Sequence, residues 1–315
     1  MDSELFLCLK NEYETTKGVS KTCLLTFNGV DGYDVYNCSV PFRIGNKRYM
    51  YGRVERFDGW AASFVRLFTE TGEDEWTAVD SVDLPLEDPF VSLIHDEIVL
   101  GGTHVLKSKG RIQSYRGYFY RGKPEAMELF TCGPDKMKDI RLIDLNGKIG
   151  VFSRPKGEGK VAIGFTVIDS IDELDEYVIS SAEPIEGVIG GGVWGGINQA
   201  YLLDSGLIGC LAHSSVEQTV NGQKNSVYVC SSFIFDPETM KTDNYKIIAT
   251  ASDFPDSKSK LPRLCDCVFT SGMTPRPDGR FDLYAGVRDV CEGRKIIKNP
   301  FEGYGKIIIP EIKIN

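Results

Sequence analysis

Apolar and polar positions in this chain alternate in pairs of short runs, not in helical stripes. The recurring unit is an apolar run, a tight polar turn, a second apolar run, then a polar or charged residue. It occurs five times. The copies are "PFRIGNKRYMYGRVE" (41–55), turning at Gly45-Asn46, and "PFVSLIHDEIVLGGTH" (89–104), turning at His95-Asp96. Next come "IRLIDLNGKIGVFSRP" (140–155), turning at Asn146-Gly147, and "QAYLLDSGLIGCLAHSS" (199–215), turning at Asp204-Ser205-Gly206. The last is "DCVFTSGMTPRPDGRFDLYAGVRD" (266–289), turning around Pro277-Asp278-Gly279. Runs rich in Val, Ile, Phe and Tyr suit a pleated strand. Asn, Asp and Gly tolerate the positive φ that tight hairpin turns require.

The five hairpins start about 50 to 65 residues apart. A propeller blade holds four strands and spans roughly 40–60 residues. The pattern therefore predicts an all-β, five-bladed β-propeller occupying residues 1–315 as one domain. A β-sandwich is the competing all-β arrangement, and five similar hairpins argue against it. Helical pattern is scarce. "SIDELDEYVISSAE" (170–183) reads as a short helix or an acidic loop.

The second strands of the hairpins finish at Arg53/Glu55, His104, Arg154, His213 and Arg288/Asp289. Equivalent positions in successive blades lie around one face of a propeller. Arg, His and acids recurring there predict a shared polar mouth, suited to a sugar and to an anion. Carboxylates bind hydroxyls and donate protons, while Arg and His bind phosphate.

Composition narrows the choice of partners. Of 315 residues, 36 are basic and 45 acidic, for a net charge of −9, and no basic block stands out. Nucleic acid and an anionic membrane surface are not expected as partners. "MDSELFLCLKNEYETTKG" lacks the apolar core of a signal peptide, and no apolar run reaches membrane-spanning length. Nine cysteines stand singly apart from Cys265 and Cys267, without zinc spacing. They predict reduced thiols in a cytoplasmic protein with no metal and no cofactor. Asn37 opens an Asn-Cys-Ser sequon that is without meaning in the cytoplasm.

Glu87 and Asp88 adjoin in "LEDPF", at the entrance to a strand. Strand alternation turns neighbours to opposite faces, so one of them is expected to face the mouth, not both. A catalytic acid there has to stay protonated near neutral pH, which calls for a raised pKa.

At these residues the chain resembles the family-130 glycoside phosphorylases, five-bladed propellers acting on β-mannosides. "LEDPF" is similar to the acid-Asp-Pro entrance carrying the proton donor. "VFSRP" and "GLIGCLAHSS" are similar to two phosphate-binding hairpin ends. "VYVCSSFIFDPET", "FDLYAGVRD" and "YGRVERFDGWAASFVRLF" resemble a later Tyr segment, the closing strand and the first-blade Arg-Val-Glu strand. The chain looks closer still to the mannosyltransferase-phosphorylases of glycosyltransferase family 108 (the DUF1861 proteins). They are implied to make and degrade β-1,2-mannan with mannose-1-phosphate or a nucleotide-mannose such as GDP-mannose.

The resemblance implies Asp88 as proton donor and Arg154, His213 and Tyr228 as phosphate ligands. Asn37 and His104 are expected to bind the mannose-containing oligosaccharide, Arg53 and Glu55 to pair or bind its hydroxyls, and Asp34 and Asp289 to bind its hydroxyls or close the ring of blades. His95, in a turn, is expected to be inert. Trp60 or Trp194 would stack on a sugar or fill the core. Two departures stand out. Phe90 replaces the family's Arg after the Pro, and "VIGGGVWGGINQAY" (188–201) replaces a Pro-rich loop with either a flexible connection or a close backbone approach to ligand. Two alternatives stay open. One is an inverting hydrolase using Asp34, Glu55 or Asp289 as its base. The other is a non-catalytic carbohydrate-binding propeller.

Overall fold

The computed structural model describes residues 1–57, 63–109, 111–157, 160–220 and 222–309. Trp60 lies outside the described residues. The expected hairpins form, with the turns where the sequence puts them. His95 and Asp96 both take left-handed backbone, φ 47° and 66°, and so do Asn146 and Gly147. Each hairpin supplies the inner strands of one sheet.

Blade 1 sets Asp34–Tyr36 and Phe42–Ile44 against Lys47–Glu55, followed by Phe64–Gly72 and Glu75–Ala78, with Thr26–Asn28 parallel at the outer edge. Blade 2 is Glu87–Ile94, Glu97–Ser108, Arg111–Lys123 and Ala126–Cys132. Blade 3 is Arg141–Asp144, Ile149–Ser153, Gly164–Ile168 and Glu183–Pro184. Blade 4 is Trp194–Leu202, Ile208–Val220, Gln223–Asp236 and Lys241–Ala249. Blade 5 is Val268–Pro275, Phe281–Val287 and Cys291–Ile297, and Thr22–Leu24 from the other end of the chain completes it.

The core lies between blades. Tyr51, Leu67, Leu100 and Tyr120 join blades 1 and 2, and Phe119, Ile140, Val151 and Ile179 join blades 2 and 3. Phe152, Phe165 and Phe235 join blades 3 and 4 through mutual ring contacts at 4.7–5.6 Å. The acidic stretch at 170–183 forms a turn of 3-10 helix, Ile171–Glu173, and a short α-helix, Glu176–Ser180.

A helix at Ser3–Thr16, which the apolar pattern does not reveal, starts on Asp2, whose carboxylate accepts from the Leu5 amide at 2.9 Å. Phe6 is its one fully buried residue, among Val193, Val216, Val229 and Ile247 of blade 4. Leu7, Leu9 and Tyr13 pack against the same cluster, partly buried.

Candidate active site

The five inner strands begin at the same end of the propeller, and the polar side chains converge there. At the opposite end, a cavity of about 830 Å³ is lined by Arg43, Leu93, Asp144, Leu202 and Pro275.

Asp88 sits in a bulge. Its φ is 51°, and the register against Glu97–Ser108 slips between Glu87 and Phe90. The extra residue breaks the pleat's alternation. The expectation that only one of the two acids faces the mouth is therefore corrected, because both reach Arg53. The Arg53 guanidinium donates to Asp88 Oδ1 at 2.9 Å and lies 3.3 Å from Glu87 Oε2. Lys107 Nζ is 3.5 Å from the other Glu87 oxygen.

The protonation state of Asp88 is also corrected. Burial works to raise its pKa, but Arg53 and Lys138, with hydrogen bonds from Asn37 and Arg53, hold it below the usual carboxylate value. The resting residue is a carboxylate. Asp289 beside it is held high, raised by burial and by the charge of Asp88. Asn37 Nδ2 bridges the two acids, at 2.9 Å from Asp88 Oδ1 and 3.4 Å from Asp289 Oδ1.

Arg53 also donates to Glu55 Oε2 at 2.9 Å, and its guanidinium lies 4.9 Å from the Tyr36 ring centroid. Glu55 accepts from Tyr36 (2.6 Å), Ser63 (2.7 Å) and Lys260 (2.7 Å) as well. Burial opposes ionisation, but these donors bring its pKa down to about 2. Asp34 pairs across from Glu55 in the strand register, and burial raises its pKa.

The other half of the mouth is cationic. Arg154 donates to Asp139 Oδ2 at 2.5 Å. Asp139, at φ 60°, is held well below the carboxylate range by Lys138 and Arg154 in spite of its burial. Lys138 has its pKa raised chiefly by Asp139, and its field also reaches Asp88 and Tyr228. Gly196 carries no Cβ because one would lie 2.9 Å from Asp139 Cβ, and at Gly195 one would lie 2.2 Å from the His213 carbonyl. The glycine-rich stretch therefore begins the inner strand of blade 4 and lets site residues pack against it. Gly191 and Gly192 pack against Asp2 and Ser3 in the same way, while a Cβ at Gly190 would meet nothing within 4 Å.

His213 Nδ1 is 2.9 Å from Asn198 Oδ1, and its ring packs on Phe269 (4.7 Å) and Tyr228 (6.0 Å). Burial pushes its pKa down to about 3. The imidazole is neutral. Tyr228 takes a hydrogen bond from Trp194 Nε1 at 3.3 Å, so Trp194 stands at the rim of the site. Arg154 Nε and Asn198 Nδ2 are buried and have no partner among the described residues. Buried donors without acceptors are rare, and each asks for an explanation.

Two expected residues point elsewhere. His104 sits one position after Thr103, which pairs with Glu87, so the pleat turns its ring outward onto Tyr118 (4.6 Å) and the Pro85 carbonyl (2.9 Å). Arg288 bonds Asp256 and the Cys265 and Ser257 carbonyls. Phe90 is core. Its ring covers Gly101, and the Arg141 guanidinium stacks 4.3 Å from its centroid. Lys138, Asp139, Asn198 and Lys260 escaped the sequence reading because they lie in connections or inside strands, not at hairpin ends.

Glu292 lies behind the acids, fully buried, and burial pushes its pKa up to about 7 against hydrogen bonds from Ser271 and the Cys38 amide. A raised carboxyl stabilises the fold below its unfolded value, about 4.5, and loses that contribution as pH rises through 7. At about 1.4 kcal/mol per pKa unit, the loss is roughly 3 kcal/mol. Urea unfolding between pH 4.5 and 8 is expected to show this decline in the wild type and not in Glu292→Gln. Parallel profiles would refute it.

A family profile described as "Protein of unknown function (DUF1861)" matches residues 11–303. The chain belongs to the DUF1861 family. Two solved structures resemble this DUF1861 chain over almost its whole length. MPT-4, a mannose phosphorylase from Leishmania mexicana in complex with phosphate ion, is 51% identical, with TM-score 0.93 and coverage of 97% of this chain and 96% of that one. MPT-1, a GDP-Man-dependent mannosyltransferase from the same organism, is 46% identical, with TM-score 0.92 and coverage of 96% and 98%. A β-1,2-mannobiose phosphorylase from Listeria innocua shares the fold, at TM-score 0.60 and 14% identity over 85% of this chain and 91% of that one. Among curated protein sequences nothing matches. Among the described residues no helix is long and apolar enough to cross a membrane.

Proposed function

We propose that this protein is a glycoside phosphorylase and glycosyltransferase that cleaves and forms β-mannosides, with β-1,2-linked mannan as its substrate class. The observation that carries this reading is the pairing of Asp88 with a cationic half-site holding two buried, unpartnered donors, Arg154 Nε and Asn198 Nδ2. Such donors fit phosphate, a nucleophile that already bears charge and needs no general base. The 46–51% identity to a mannose phosphorylase and a mannosyltransferase supports it.

In the cleaving direction, a phosphate oxygen attacks the anomeric carbon of the terminal mannose. The bond to the departing sugar oxygen breaks, Asp88, protonated from solvent as phosphate binds, gives that oxygen a proton and returns to the carboxylate, and mannose-1-phosphate leaves with inverted configuration. Lys138 and Arg154 hold the phosphate by charge, while His213 and Tyr228 hold it by hydrogen bonds. Arg53 is the larger influence keeping Asp88 ionised and Lys138 the next, and phosphate takes up the Lys138 charge, so its arrival favours protonation of the acid. Synthesis runs the same step backwards. A GDP-mannose donor sets its departing diphosphate on the same cations.

A hydrolase is less well supported. It needs a carboxylate free to activate water. Glu55 is engaged by four donors, and the Asn37 amide occupies the space between Asp88 and Asp289. The nine free cysteines favour a reducing compartment such as the cytoplasm.

The test is incubation with β-1,2-mannobiose, with and without inorganic phosphate, assaying mannose-1-phosphate. Phosphate-dependent product is expected, and free mannose formed without phosphate would overturn the reading. GDP release from GDP-mannose in the presence of mannose tests the second donor. Cationic side chains supply the electrostatics a metal would otherwise provide, so EDTA is expected to leave the rate unchanged. A rate restored only by added divalent metal would contradict that.

A further inference from the structure

Glu292 is the most deeply buried of the carboxyls that the reaction above does not use, with no exposed surface. Glu292 lies in the Cys291–Ile297 strand of blade 5, directly across from Gly286. Asn37 packs on Gly286 so closely that a Cβ there would stand 1.9 Å from Asn37 Oδ1 and 2.8 Å from its backbone nitrogen. The next residue along, Cys38, donates its amide to Glu292 Oε2 at 3.1 Å, and Ser271 donates to Oε1 at 2.6 Å. Asn37 has φ 47°, left-handed backbone that Asn adopts more readily than other side chains do. From that conformation its one amide nitrogen reaches both Asp88 and Asp289.

We propose that Glu292 is a positioning residue for the reaction. Its carboxylate fixes the 37–38 peptide, and through it the Asn37 amide that orients the proton donor. The proposal rests on the reading of Asp88 as the acid.

Glu292 faces Ser271 from the inner strand of blade 5, and the amide and thiol of Cys38 from blade 1. Its charge also reaches the Cys230 and Cys291 thiols. Among these neighbours it is the group whose ionisation falls near neutrality, at about 7. Ionised, it accepts strongly from both donors. Protonated, it offers one of its oxygens as a donor, and the hold on the 37–38 peptide slackens. Lys138, Arg154, His213 and Tyr228 belong to other blades and are not tied to it.

The experiment measures kcat and the phosphate KM against pH for the wild type, Glu292→Gln, Asn37→Ala and the double variant, with Asp88→Asn as reference. The wild-type kcat is expected to fall on the acid side of about pH 7 with a limb that Glu292→Gln lacks. At pH 8 the Gln variant is expected to lose about tenfold in kcat while its phosphate KM stays within about twofold. Because both changes act through one amide, Glu292→Gln is expected to lower the kcat of Asn37→Ala by less than about twofold.

A Gln variant with wild-type kcat would overturn the proposal. So would kcat and phosphate affinity falling together with the melting temperature, or losses that multiply in the double variant. A wild-type rate in Asp88→Asn would overturn the acid assignment itself, whatever Glu292 does.

Discussion

Asp88→Asn is expected to lower kcat for β-1,2-mannobiose by about 10²–10⁴-fold, the range set by loss of a general acid. The amide keeps the shape of the carboxyl and still accepts from Arg53 and Asn37, which now hold it at 2.9 Å each. The fold and the phosphate KM are therefore expected to survive. The loss should depend on the leaving group. An alkoxide departing from C2 of mannose needs a proton, while a nitrophenolate does not. On an aryl β-mannoside the variant should recover most of its rate. An equal loss on both substrates would show that Asp88 binds sugar and donates nothing.

Arg53→Met is expected to damage the fold more than any other single change at the mouth. Arg53 is buried, and its guanidinium meets Glu55, Glu87 and Asp88. Removing the cation leaves three carboxylates facing one another without the one charge they share, and only Lys260, Lys107 and Lys138 at their outer sides. Loss of one partner from a buried ion pair costs about 3–5 kcal/mol. The sign with pH follows from Glu55. Its pKa, brought down to about 2, contributes stability that is present above about 4.5 and is lost as pH falls toward 2. The deficit of the variant in urea unfolding is thus expected to be largest at pH 7–8 and to narrow on acidification through that window. A deficit independent of pH would mean that Arg53 acts by packing on Tyr36, not by charge.

The fold was legible because turn chemistry is local. Asn146-Gly147 or His95-Asp96 needs no distant partner to declare a hairpin, and five of them declare five blades. The outer strands were less legible, since Ala126–Cys132 and Lys241–Ala249 carry exposed, mixed sequence. The site divides the same way. Arg53, Glu55, Arg154 and His213 end hairpins and converge as expected. Lys138 and Asp139 precede a strand, and their partnership with Arg154 exists only once blades 2 and 3 meet. Where local pattern misled, a single residue of register was responsible. The bulge at Asp88 brought Glu87 in, and the pleat after Thr103 took His104 out. The raised pKa expected of Asp88 failed for a different reason. A charge three strands earlier, on Arg53, works with Lys138 to outweigh burial, and adjacency in sequence says nothing of it.

Thr22–Leu24 closing blade 5 has a consequence for when the enzyme becomes active. The bonds from Asn37 to Asp289, from Cys38 to Glu292 and from Lys260 to Glu55 all cross the junction where the early chain meets the late chain. A nascent chain carrying four finished blades already owns Asp88, Arg154 and His213, yet lacks the clasp that aims the acid. Activity is therefore a property of the closed ring. Turnover reports closure itself, much as a lamp on a circuit lights only when the last contact is made.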